Sequence, residues 1–122
     1  MLNSNDLSEY LWIILKRADG DEEKLREILA SKPRAALIAF DKEFRRAAAN
    51  LWDIDVPDHT EDMLKDLYAQ VVSKGKEFYD HVINNPERIA EDTEIGAPLL
   101  IEVAGEVFWE KFGEEIIDQE FP

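Results

Sequence analysis

The stretch Arg34–Leu51, RAALIAFDKEFRRAAANL, decides the fold. Its residues Leu37, Phe40, Phe44, Ala47, Ala48 and Leu51 recur at three- and four-residue steps, the period of one buried helix face. The small residues toward its end predict that another helix packs closely there. Pro33 stands just ahead, where a missing N–H costs a helix nothing.

Outward to the N-terminus, Ser31-Lys32-Pro33 stops a helix predicted over about Glu22–Ala30, which buries Leu25, Ile28 and Leu29. Asp19-Gly20-Asp21 is a turn. Before it, Asp6–Ala18 repeats Leu7, Tyr10, Leu11, Ile14 and Leu15 at helical spacing, with Ser4 or Asn5 as the expected cap. Trp12 neighbours that face and is expected in the core or at its boundary.

Outward to the C-terminus, Trp52–Pro57 breaks the pattern, and Trp52 is expected to plug the gap below that loop. Asp58 is the expected cap of a fourth helix, with Glu61 in the reciprocal position; its face is Leu64, Leu67, Tyr68 and Val71. Gly75 reads either as the left-handed end of that helix or as a tolerated interruption. Lys76–Ile83 is helical in both cases, with Phe78, Tyr79, Val82 and Ile83 apolar. Asn85-Pro86 then opens a short turn over Glu87–Ala90, and residues 91–97 read as a loop. Pro98 starts a last helix to about Phe112, burying Leu99, Leu100, Val103, Val107 and Phe108, and Gly113 ends it. The tail 113–122, with Ile116, Ile117 and Phe121, is expected to dock in part. No segment alternates as a strand, and no repeat or linker divides the chain. The expectation is an all-α, single compact bundle-like domain over residues 1–122 with five to six helices.

Composition narrows the function classes. The 122 residues contain no cysteine, which excludes disulfides and thiolate metal sites. No basic start and small-residue cleavage site marks a signal peptide, and the apolar run Leu11–Leu15 is far short of the roughly 20 residues of a membrane span. A cytoplasmic protein is expected. The 28 acidic against 14 basic residues give a net charge of −14. That field repels nucleic acid and anionic membranes and attracts basic proteins. Residues 1–55 hold 11 acidic and 9 basic side chains, whereas residues 56–122 hold 17 and 5, so the excess sits in the second half.

Several stretches resemble a bacterial family of unknown function, the one numbered four-two-four-zero in the domain-of-unknown-function series. They are Tyr10–Ile14 with Asp21–Leu25, Ile38–Phe44, Leu51–Asp53, Val71–Tyr79 with Asn85-Pro86, and Val103–Lys111. The resemblance covers most of the chain in order and implies a helical fold. Members of the family carry a Gly-rich acidic loop after the tryptophan helix. Here Pro57-Asp58-His59-Thr60-Glu61-Asp62 stands in its place. The family has no established activity, so the resemblance implies nothing about a reaction.

Candidate chemistry is sparse. Glu77 and His81 lie four apart, and His59 sits among Asp58, Glu61 and Asp62. Neither histidine stands in the Glu-x-x-His pattern of a di-metal bundle, nor is there a His-Glu-x-x-His. No metal site and no cofactor is expected, although an enzyme or metal-binding protein using His59 or His81 stays open as the alternative. Ser73 has no nucleophile-elbow context, and beside Lys74 and Gly75 it reads as a helix end.

The sharper feature is Glu102, Glu106, Glu110 and Glu114, which recur every four residues and form a slowly drifting acidic stripe along the last helix. Like charges at that spacing repel by roughly 0.2–0.5 kcal/mol per pair. Trp109 points away from Val103 and Val107, toward the acidic side. Two readings follow: a solvated face whose Trp109 is covered by the tail, or a surface on which Trp109 anchors a basic partner. The second makes the chain a protein-binding module of inhibitor or immunity type, as a monomer or homodimer. A homo-oligomer joined through its apolar tail is a further reading.

Overall fold

The helix read from Arg34–Leu51 is α3, Arg34–Asn50, in a computed structural model that describes residues 3–93 and 100–116. Its stripe is sealed: Leu37 and Ala47 are wholly inaccessible, and Phe40 and Phe44 stand edge-tilted at 6.1 Å. Around it pack α1 (Glu9–Ala18), α4 (Glu61–Ser73) and α7 (Val103–Phe112). Helix α2 (Glu22–Ala30) bridges α1 and α7, and α5 (Lys76–Asn84) lies against α4. A short α6 (Ile89–Asp92) continues a 3-10 turn at Pro86–Arg88. Further 3-10 turns occupy Ser4–Asp6, Leu51–Asp53 and Leu100–Glu102. The fold is all-α: seven α-helices and no strand are found among the described residues. The helix beyond the expected five to six is α6, which carries Glu91 and Asp92 out of the expected loop.

Polar groups fasten the ends of these helices. The Tyr79 hydroxyl accepts from Asn50 Nδ2 and donates to the Ala47 carbonyl, both at 2.8 Å. This joins α5 to the end of α3, and the Trp12 ring tilts against Tyr79 at 5.2 Å. Ser4 donates its amide to Asp80 Oδ1 at 2.9 Å and its hydroxyl to Oδ2, while its carbonyl accepts from Trp12 Nε1 at 3.1 Å. The turn Ser4–Asp6 is closed by a capping box from Asn3. The expected helix start at Asp6 is therefore moved to Glu9, where the Glu43 carboxylate of α3 accepts the Ser8 amide at 2.8 Å.

Asp58 does not cap α4. Its backbone is left-handed at φ 63°, so Thr60 takes the cap and its hydroxyl accepts from the Met63 amide. Gly75 breaks the chain between α4 and α5 at φ 101°, which ordinary side chains avoid. Of the residues expected in the core, Leu37, Phe40, Phe44, Val71, Val103 and Val107 are buried, while Leu67 and Phe78 are only half-buried at its edge. Trp12 is core at 4% exposure. Trp52 stays 42% exposed with its edge on Tyr68 at 5.1 Å, so it lies over the gap rather than filling it. Ile116 of the tail packs on the core; Leu99 and residues 117–122 lie outside the described residues.

Phe44→Ala empties the centre of the stripe and is expected to cost about 3–5 kcal/mol in urea unfolding. A stability matching the parent contradicts this packing. Burial pushes the Tyr79 hydroxyl up to about 12 from an ordinary 10, against a smaller opposing effect of Asn50. A raised folded-state value stabilises below the unfolded value and is lost as pH rises through the folded one. Stability is therefore expected to fall between about pH 10 and 12, with Tyr79→Phe losing less over that window.

Candidate functional site

The four stripe glutamates do not share one helix. Glu106 and Glu110 lie in α7, Glu102 closes the preceding 3-10 turn, and Glu114 follows the left-handed end at Gly113. More consequentially, each meets an arginine of the same chain. Arg26 on α2 forks between Glu106 at 3.1 Å and Glu110 at 3.5 Å, with Glu22 at 4.0 Å. Arg34, at the start of α3, pairs with Glu114. Arg45, one turn from the end of α3, holds the buried Asp41 at 3.2 Å and reaches Glu102 at 3.6 Å. The stripe is therefore a seam joining α7 to α2 and α3, its charge partly opposed by three arginines of the same chain.

The seam remains wet and negative. The glutamate side chains keep 53–66% of their exposure, so each pair is screened and contributes about 0–1 kcal/mol. Six carboxylates (Glu22, Asp41, Glu102, Glu106, Glu110 and Glu114) meet three guanidinium groups. The hydrogen bond that Arg26 donates to Glu106 holds the guanidinium above its ordinary range, with the charges of Glu106, Glu110 and Glu22 adding to it against partial burial.

Trp109 borders this seam and is 57% exposed, more than either other tryptophan. It makes no ring contact among the described residues, whereas Trp12 and Trp52 each stack on a tyrosine. Phe112, one turn along, is 37% exposed, and the Arg34 guanidinium lies over its ring at 5.4 Å and over Phe108 at 4.8 Å. The described part of the tail reaches only to the edge of this patch: Trp109, Glu114, Glu115 and Ile116 share a shallow groove with Arg34 and Ile38.

The histidines lie elsewhere. His59 Nδ1 is 2.8 Å from the Pro57 carbonyl, and His81 is exposed on α5 beside the Phe78 ring. No group of three His, Asp or Glu side chains able to hold a metal ion occurs among the described residues. No helix there is long and apolar enough to cross a membrane. No family model, no curated protein and no solved structure matches the chain.

The pairing was hidden because Arg26, Arg34 and Arg45 are distant in sequence from the glutamates they meet. Arg26→Gln leaves Glu22, Glu106 and Glu110 facing one another without a cation. The expected loss at low salt is about 0.5–1 kcal/mol, disappearing near 1 M salt, where the Debye length is about 3 Å. A loss that persists at high salt means that Arg26 acts through packing instead.

Proposed function

We propose that this chain is an acidic protein-binding module whose partner is a basic protein, in the manner of an inhibitor or immunity-type protein that covers a cationic site. The observation that carries this reading is Trp109. It is a large, rigid aromatic ring, 57% exposed on α7 and set beside glutamates that are more than half exposed. Tryptophan is enriched among the residues that dominate binding energy, and its face attracts cations.

The arginine pairing shapes how such a partner would bind. Because each surface pair contributes so little, a partner's lysine or arginine replaces Arg26 or Arg34 at small cost. The seam's surplus of carboxylates supplies the net attraction. The overall charge of −14 speeds encounter with a positive surface at low salt, and the aromatic anchor then slows departure.

Panning a displayed peptide library against the immobilised protein is expected to enrich Lys- and Arg-rich sequences. Trp109→Ala should lower their retention about tenfold, the effect of a modest hot spot. Enrichment of neutral or acidic sequences, or equal retention by Trp109→Ala, overturns the reading.

A further inference from the structure

Of the four glycines among the described residues, three have their places set by the backbone. Gly20, Gly75 and Gly113 take φ of 75°, 101° and 66°, a region that side chains avoid. Gly105 is not among them and lies within α7. The 3-10 turn Leu100–Glu102 runs directly into that helix, so Gly105 sits inside continuous helical backbone. Glycine is less favourable there than alanine. Close packing does not ask for it either, because a Cβ built on Gly105 meets no described atom within 4 Å. The fold has no use for this glycine.

What the missing side chain leaves is a hollow on the surface of α7. Glu102 and Trp109, three and four residues away along the helix, are its neighbours, and Glu106 follows it directly. Trp109 is 57% exposed, and the Glu102 and Glu106 side chains keep 66% and 53% of their exposure. Arg45 and Arg26 reach these two glutamates at 3.6 and 3.1 Å without entering the space at Gly105. An aromatic ring and two carboxylates thus surround an opening that the helix maintains at its own expense.

The chain itself shows which cation suits such a place. Arg34 lies over Phe108 at 4.8 Å and over Phe112 at 5.4 Å while it pairs with Glu114. Lys111 also lies over Phe112, at 5.6 Å, but its ammonium donates to the Lys32 carbonyl. A guanidinium is planar and weakly hydrated, so it stacks on a ring and keeps its N–H fork for carboxylates; an ammonium is a hydrated point charge.

We propose that the hollow at Gly105 seats an arginine side chain of the basic partner, stacked on Trp109 and lying between Glu102 and Glu106. The inference rests on the reading of Trp109 as a binding anchor and adds where on α7, and by which residue, the partner is held.

Calorimetric titration with acetylated hexa-arginine and hexa-lysine, peptides of equal charge, tests it. The parent is expected to bind hexa-arginine about threefold more tightly than hexa-lysine. Gly105→Ala and Gly105→Gln fill the hollow, so both should raise the urea midpoint. They should weaken hexa-arginine about threefold and about tenfold in turn, and hexa-lysine far less. Trp109→Ala should abolish the difference between the two peptides. If hexa-lysine matches hexa-arginine, or if the filled variants hold hexa-arginine as tightly as the parent, the proposal is wrong. A loss in Trp109→Ala would then leave the Trp109 reading standing alone, whereas equal binding by Trp109→Ala ends both. A lowered urea midpoint in Gly105→Ala shows that the fold needs this glycine, and it overturns the proposal too.

Discussion

The constraint on which the structure depends is the crowding around one end of α3. There Phe44, Ala47 and Leu51 are inaccessible, and alanines give the neighbouring helices room to approach. The close approach also brings the Ala47 carbonyl within reach of the Tyr79 hydroxyl, 32 residues on. A larger side chain at Ala47 would displace the neighbouring helices and break that bond with them, since close-packed interiors transmit strain. The position of α5, and with it the joint at Gly75, therefore follows from how little volume α3 presents at its end.

Charge is organised on a different plan. The first half of the sequence is nearly balanced, but three of its arginines turn toward glutamates of the acidic second half. The seam of α2, α3 and α7 so ties together segments about 80 residues apart. Exposed pairs of this kind add little stability. Burial of Val103, Val107 and Phe108 decides which face of α7 turns inward and leaves Trp109 on the outside, and the arginine pairs follow from that placement.

What the sequence showed and what it hid divide along contact range. The stripe of α3, the turn at Asp19-Gly20 and the burial of Trp12 are local, because helical period and turn chemistry act within a few residues. Where one side chain decides a helix end, local rules misled. Asp58 fits the capping pattern as well as Thr60 does, and only its left-handed backbone shows that it stands outside the helix. Similarly, the Ser8 amide is satisfied by Glu43, which no local pattern links to it. The stripe was visible as spacing, but its arginines were not.

The clamp on Ser4 has a consequence for the order of events during synthesis. Its partner Asp80 lies 76 residues downstream. A ribosome adding roughly 5–20 residues per second leaves the N-terminal segment without that partner for several seconds. Until then the Ser4 amide and hydroxyl have only water to bond. Helices α1 and α2 emerge early and touch each other, yet the arginine of α2 waits longer still for Glu106. The nascent chain thus carries two early helices whose fastenings both arrive late. Closing such long loops carries an entropic cost that only the completed core repays. The N-terminal half is built as a receptor for the C-terminal half, and its locking waits for the segments that carry Asp80 and Glu106.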